Sequence, residues 1–341
     1  MQHPEPTLRI ETLPTAPIST CLAQEVTMNN QIDRREFLHR CAVSGSGALV
    51  GSLLPAPLLS MVDVTPPEIS LCAVAGDRFF DNTIAAVEAL GGMKKFVRKG
   101  ASVALLINSG FDRPGTYVNA DIPLAVVKMC LDAGAGSIVT IENTPGSYWK
   151  RGTFSGKLAS EIKLIGHSEE EKEVKIPQGK SLKEATVSSA LLSSDVFINI
   201  PIIKDHRGTR YTGNLKNIMG AFSSSTCRRC HFGDQSIVTQ LFQGYYSKLD
   251  VLAQGIADLG LVRSPDLCVA DVTEILATNG PSGPGRLKTP MEVVAGTNCV
   301  AVDMYCVRHL GLPADELLVI NRAQEHMLGP KSLKEVKILT K

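Results

Sequence analysis

The sequence predicts an α/β fold: a mostly parallel sheet flanked by helices, built as a single large domain. Three observations carry that expectation. Continuous apolar runs such as Ser102–Asn108 lack the alternation of a strand with one wet face, so they read as strands buried on both sides. These runs alternate with stretches of helical period, which is the order of βαβ units. Hydrophobic residues make up 44% of the 341 residues and charged ones 20%, enough apolar material for a large core and not the composition of a disordered chain.

Taken in order, Ser70–Ala75 reads as a strand and Asn82–Leu90 as an amphipathic helix. Ser102–Asn108 is the buried strand, and Asp121–Ala133 has apolar residues at helical spacing behind a plausible cap at Asp121. Gly134 and Gly136 break that pattern before a strand at Ser137–Ile141. Residues 145–192 are more polar and read as an inserted or appended subregion. Their Glu169-Glu170-Glu171 run reads as a solvated face. Val196–Ile200 is a strand followed by a long loop region, and Ser236–Leu259 is mainly helical. Leu267–Ala270 and Val293–Ala295 read as strands, Val300–Leu310 and Ala314–Met327 as helices. Cys268, Cys299 and Cys306 fall in these apolar patterns and read as small core residues. Asp271 and Asp303 sit where either a ligand contact or a helix cap would fit.

Composition removes some functions. Lys and Arg number 35 against 34 Asp and Glu, a net charge of +1, which argues against nucleic-acid binding through an extended basic surface. Aromatics at 5% leave little for a stacking platform. Nine cysteines are too few and too scattered for a disulfide-built scaffold.

The first 60 residues differ from the rest. Arg34-Arg35 followed by Phe37 and Leu38, then an apolar stretch from Cys41 to Leu59 loosened by Gly45, Gly47, Gly51, Pro55 and Pro57, resembles a twin-arginine (Tat) signal peptide. The stretch is too short and too glycine-rich for a stable membrane span. The chain then divides into an N-terminal extension with a signal over 1–60 and an α/β domain over 61–341. The resemblance implies export to the periplasm or another extracytoplasmic space, with the Tat machinery as a partner.

The segment after Val196–Ile200 carries the functional signal. Between Lys204 and His231 stand Lys204, Arg207, Arg210, Lys216, Arg228 and Arg229, opposed by Asp205 alone. A βα loop at this place faces the ligand crevice of such a sheet. Basic side chains, with Gly208, Gly213 and Gly220 to admit close backbone approach, suit a small carboxylate or phosphate. The spacing is not that of a P-loop, and no Ser-His-Asp order or G-x-S-x-G elbow occurs. A plain turn-rich loop accounts for Asn279–Gly285 as well as an anion cradle does.

Asn199-x-Pro201-x-x-Lys204-x-His206 followed by Thr212-Gly213-x-x-Lys216-Asn217-x-x-Gly220 resembles the signature of the domain of unknown function 362 (DUF362) family. Weaker matches are Leu105–Asn108, Asp132–Ala135, Glu142-x-x-Pro145-Gly146, Asp271 with Asn279–Pro281, and Ala301–Asp303, so the resemblance covers about residues 70–328. It implies a site lined by Lys204, His206, Lys216 and Asn217 as catalytic residues. Asn108, Asn199, Arg207, Arg210, Thr212, Gly213, Gly220 and Asp271 are the ligand-binding candidates. By chemistry His206 is a candidate general acid/base, the lysines bind a carboxylate or act as nucleophile, and Asn217 orients a ligand or an oxyanion. Members often carry a ferredoxin-like module, but the C-x2-C-x2-C-x3-C-P run of such a module is absent here.

Cys227-Arg228-Arg229-Cys230-His231 matches the c-type haem attachment pattern. Covalent haem, a metal or iron–sulfur site at Cys227, Cys230 and His231, and a disulfide or free thiols all remain open from spacing alone. The expected function is an exported enzyme that binds a small anionic ligand in a basic crevice, with a metal or redox centre as a candidate addition. The alternative is a non-catalytic accessory or cofactor carrier serving an exported redox partner.

Overall fold

The computed structural model describes residues 68–233 and 249–341. The signal reading of residues 1–60 and the first part of the helix expected over 236–259 lie outside the described residues. An eight-stranded sheet organises the rest. Its strands are β1 (Ser70–Ala75), β2 (Ser102–Ile107), β3 (Ser137–Thr140), β4 (Ile165–His167), β7 (Val196–Ile200), β8 (Leu267–Val272), β11 (Glu292–Gly296) and β12 (Lys337–Thr340). They lie in the order β12-β1-β11-β8-β7-β2-β3-β4. Seven share one direction, and β11 runs antiparallel to both β1 and β8. The exception has a local cause. Between β8 and β11 the chain makes only the short ribbon β9 (Ile275–Leu276) with β10 (Leu287–Lys288), no crossover helix, so it must return antiparallel.

The continuous apolar strands are buried on both faces, as their composition predicts. In β2, Ala104 and Leu106 enter one core while Val103, Leu105 and Ile107 enter the other. Helices α1 (Phe79–Ala89) and α2 (Asp121–Asp132) cover the second face. Helices α3 (Ser224–Phe232), α4 (Leu249–Gly260), α5 (Cys299–Cys306) and α6 (Leu318–Glu325) cover the first. Cys268, Cys299 and Cys306 are buried among them, as small core residues should be. Residues Pro67–Lys341 form one compact unit. Among the described residues, no helix is long and apolar enough to cross a membrane.

Several expectations shift. Asp121 does not cap α2. Its carboxylate accepts from Thr153 Oγ1 (2.7 Å) and the Phe154 amide (3.1 Å), tying the following loop back to the helix. The helix expected over 314–327 begins only at Leu318, because Leu317 is extended and buried. The polar subregion 145–192 contains β4 and a hairpin of β5 (Glu171–Lys175) with β6 (Glu184–Ser188), none of which apolar periodicity reveals. The stretch holding the C-x-x-C-H pattern is helix α3, not loop: Ser223 caps it by accepting from the Thr226 amide at 3.2 Å.

Candidate functional site

A cavity of about 200 Å³ opens beyond the carboxyl ends of β2, β3 and β7. That is where ligands bind in open parallel sheets. Asn108 follows β2, Glu142 follows β3, and Lys204 and His206 follow β7 by a few residues. Thr212, and Lys216 and Asn217 on the one-turn helix Asn214–Asn217, close the opposite side, with Phe111 and Gly220.

Lys204 is 1% exposed. Its Nζ donates to the Thr116 carbonyl at 2.5 Å and lies 3.9 Å from the Phe111 ring centroid. Burial, aided by the Lys216 charge and opposed by Glu142, lowers its pKa to about 7. Lys216 is half-buried, and its ammonium has no hydrogen bond or ion pair with the protein. Burial pushes its pKa down, against the opposing pull of Cys227, Cys230 and Glu142. Glu142 is likewise half-buried with no partner for its carboxyl group. Burial raises its pKa to about 7, although both lysines favour the charged form. A Cβ at Gly220 would stand 2.6 Å from Glu142 Oε1, so glycine is what lets the carboxyl group lie in this wall.

His206 does not play the role its residue type suggested. Its Nδ1 accepts from the Gly208 amide (3.0 Å) and the Thr209 amide (3.1 Å). The ring proton must then be on Nε2, and a second proton would break both bonds. Burial, with the charges of Lys216, His231 and Lys204, drives its pKa to about 3. His206 is therefore a fixed neutral donor through Nε2, not an acid/base poised at neutral pH. Thr212 adds an oddity: 3% exposed, its Oγ1 has no hydrogen-bond partner although it lines the cavity. Buried hydroxyls are normally satisfied, so this one is available to a ligand.

An amide relay supports the wall. Asn108 Nδ2 donates to Asn217 Oδ1 (3.1 Å), and Asn217 Nδ2 to Asn199 Oδ1 (2.7 Å). Asn199 Nδ2 donates to the Asn214 carbonyl (3.0 Å), and Asn214 Nδ2 to Asp303 Oδ1 (3.0 Å). Asp303 also accepts the amides of Asn214 (2.7 Å) and Leu215 (2.9 Å), anchoring the start of the one-turn helix, and Tyr211 Oη (3.1 Å). A Cβ at Gly213 would come within 2.4 Å of Asp303 Oδ1, so the backbone can approach only as glycine.

The cavity brings together Lys204, His206, Lys216, Asn217, Asn108, Thr212 and Gly220. It leaves out five predicted ligand contacts. Asn199 and Gly213 lie beneath the wall in the relay, and Arg207 is exposed outside it. Arg210 pairs with Glu316 at 3.2 Å on the surface. Asp271 is buried and accepts the amides of Asn119 (2.6 Å) and Thr273 (2.8 Å), fastening two loops. The basic loop thus delivers two lysines to the cavity, not six cations. Sequence reasoning missed Glu142 as a site residue, although its place after a strand was a usable signal.

Cys227, Cys230 and His231, left open by their spacing, each turn to a different neighbour. Cys227 Sγ donates to the Met219 carbonyl at 3.2 Å. Cys230 is fully buried, with Sγ 3.3 Å from where a Cβ on Gly255 of α4 would stand. His231 Nδ1 donates to the Cys227 carbonyl at 2.7 Å. Burial raises the pKa of both thiols, that of Cys230 to about 12, where a ligand or nucleophile needs thiolate. Haem attachment needs both thiols open to one porphyrin edge, and here they turn to different neighbours. All described cysteines are free, and among the described residues no group of three or more His, Cys, Asp or Glu side chains is placed to hold a metal ion.

A family model described as a domain of unknown function (DUF362) matches residues 103–308. Among solved structures, the lactate racemase apoprotein from Thermoanaerobacterium thermosaccharolyticum is similar over 58% of this chain and 50% of its own, with 11% identity and a TM-score of 0.39. A protein from Thermotoga maritima is similar over 74% of this chain and 60% of its own, with 11% identity and a TM-score of 0.38. Each match spans less than two thirds of the other protein. No curated protein matches the chain.

Proposed function

The chain belongs to the DUF362 family, whose model covers residues 103–308, and from that premise we propose that it is an enzyme that binds a small anionic ligand in this cavity and moves a proton on it. The observation that carries the reading is Lys216: an ammonium in the cavity wall without any protein partner. Such a charge is tolerated where an anion completes it. His206 Nε2 and the free Thr212 hydroxyl add neutral hydrogen-bonding groups around the same space. The volume suits a ligand of a few heavy atoms, a carboxylate or phosphate.

Glu142 and Lys204 supply the proton chemistry. An acid and a base of opposite charge type, both brought to about 7, stand in one wall. Groups tuned in this way exchange protons with bound ligands at neutral pH. Carboxylate Glu142 accepts a proton from the ligand and protonated Lys204 donates one to it, leaving the net charge of the pair unchanged; Glu142 then releases its proton to solvent and Lys204 takes one up, which restores both starting forms.

Titration with inorganic phosphate and with short carboxylic acids, followed by calorimetry, tests the anion site. Wild-type protein is expected to bind one such anion. Lys216→Met should weaken binding at least tenfold. Equal affinity in the variant would overturn the assignment. Export through the Tat route is part of the same proposal, and it rests on Arg34-Arg35 and the apolar stretch behind them.

A further inference from the structure

A second cavity, of about 180 Å³, adjoins the first, with Gly220 lining both. Its chemistry is the reverse. Glu169, Glu170 and Glu171 line it with His167 and Ser188, and no lysine or arginine does. Ile141, Ala221 and Phe222 give it apolar surface. Glu169 and Glu171 have no hydrogen-bond or ion-pair partner for their side chains, while Glu170 stands 3.8 Å from Lys172.

Ser188 is the telling residue. It is 7% exposed, lines the cavity, and its Oγ has no partner. It also occupies the N-cap of the short helix Ser189–Ser193, where a serine side chain normally accepts a backbone amide, yet it makes no such bond. The strand register places it opposite Glu171 in the β5–β6 hairpin, so the two side chains share one face. His167 Nδ1 donates to the Thr140 carbonyl at 3.0 Å, which leaves Nε2 as an acceptor. Carboxylates, an unbonded hydroxyl and an imidazole lone pair offer acceptors from several directions beside apolar side chains.

We propose that this second cavity binds the ammonium end of an alkylamine, with its N–H groups taken by Ser188 Oγ and the Glu171 carboxylate that shares its face, and its methylenes against Phe222 and Ile141. A metal ion is the less suitable occupant, since no three of the His, Cys, Asp or Glu side chains described converge as ligands. The proposal stands apart from the anion reading of the neighbouring cavity.

Calorimetric titration of the whole protein with 1,4-diaminobutane at low salt tests it, with 1,4-butanediol as the uncharged control and magnesium as the metal arm. Saturable binding of the diamine and none of the diol is expected. Ser188→Ala should weaken diamine binding about fivefold while its melting temperature stays level or rises, because an unsatisfied buried hydroxyl has been removed. Glu171→Gln should weaken it as well and keeps the test open if Ser188→Ala misfolds. Phosphate binding at the neighbouring cavity should persist in both variants. No diamine binding, equal binding by Ser188→Ala, or displacement of the diamine by magnesium at lower concentration would each overturn the proposal.

Discussion

Lys204 costs the fold something to keep. In the unfolded chain a lysine holds its proton to about 10.4, whereas burial brings Lys204 to about 7 in the folded state. Between those values the unfolded chain binds more protons, so this residue's contribution makes stability rise with pH across about 7 to 10. At pH 7 and below, the charged side chain is a burden, offset in part by the Thr116 carbonyl and the Phe111 ring. His206 behaves alike lower on the scale: its neutral form is favoured, so stability falls as pH drops from about 6.5 towards 3. We therefore expect Lys204→Met to raise unfolding free energy at pH 7 by about 1–3 kcal/mol, measured by urea denaturation, and to flatten the rise above pH 7. A loss of stability would mean that the Thr116 hydrogen bond outweighs the burial cost. Removing the proton carrier should meanwhile abolish turnover of any substrate the cavity accepts.

Among the elements, the one-turn helix Asn214–Asn217 matters most, since it presents Lys216 and Asn217 to the cavity. One turn cannot hold itself in water. Asp303 on α5 holds it by accepting two backbone amides, the Asn214 side chain and the Tyr211 hydroxyl. Asp303→Asn would place an amide NH₂ where only donors converge. The expected cost is about 2–4 kcal/mol, read by chemical denaturation, with anion affinity falling alongside. Wild-type stability in that variant would show that the cap is dispensable. The same region marks where sequence reading succeeds and stops. Val196–Ile200 is legible because every residue is apolar or fully buried, and the loop after it is legible as a site because strand ends carry sites. Hairpin strand β5 is not: Glu171-Lys172-Glu173-Val174-Lys175 exposes all but one side chain, so no apolar period exists to detect. Edge strand β12 is hidden for the same reason. Asn199 lies close to the site in sequence and Asp271 at the end of a neighbouring strand, but only the folded chain shows that they fasten loops instead of facing the cavity. Glu142 gains its role from packing against Gly220, a contact across 78 positions that no local pattern encodes.

For the whole molecule, the nearly even charge balance turns out to be a sum of opposed local fields. Two lysines line one cavity and three glutamates line the next, with Gly220 in the wall of both. A protein with net charge +1 has little long-range attraction for nucleic acid or anionic lipid. The compact unit from Pro67 to Lys341 contains both cores of the sheet and the cavities beside it. The segment that carries Arg34-Arg35 precedes that unit in the chain. We propose that Arg34-Arg35 and the apolar stretch behind them act as a twin-arginine signal. In a bacterial host with a functional Tat system, full-length protein should therefore be recovered in the periplasmic fraction, and Arg34→Lys with Arg35→Lys should leave it in the cytoplasm. The retained variant should keep the wild-type melting temperature and phosphate affinity, since neither arginine belongs to the compact unit. Equal export of the double variant would remove the twin-arginine assignment, and retention accompanied by lost stability would assign the pair to the fold instead.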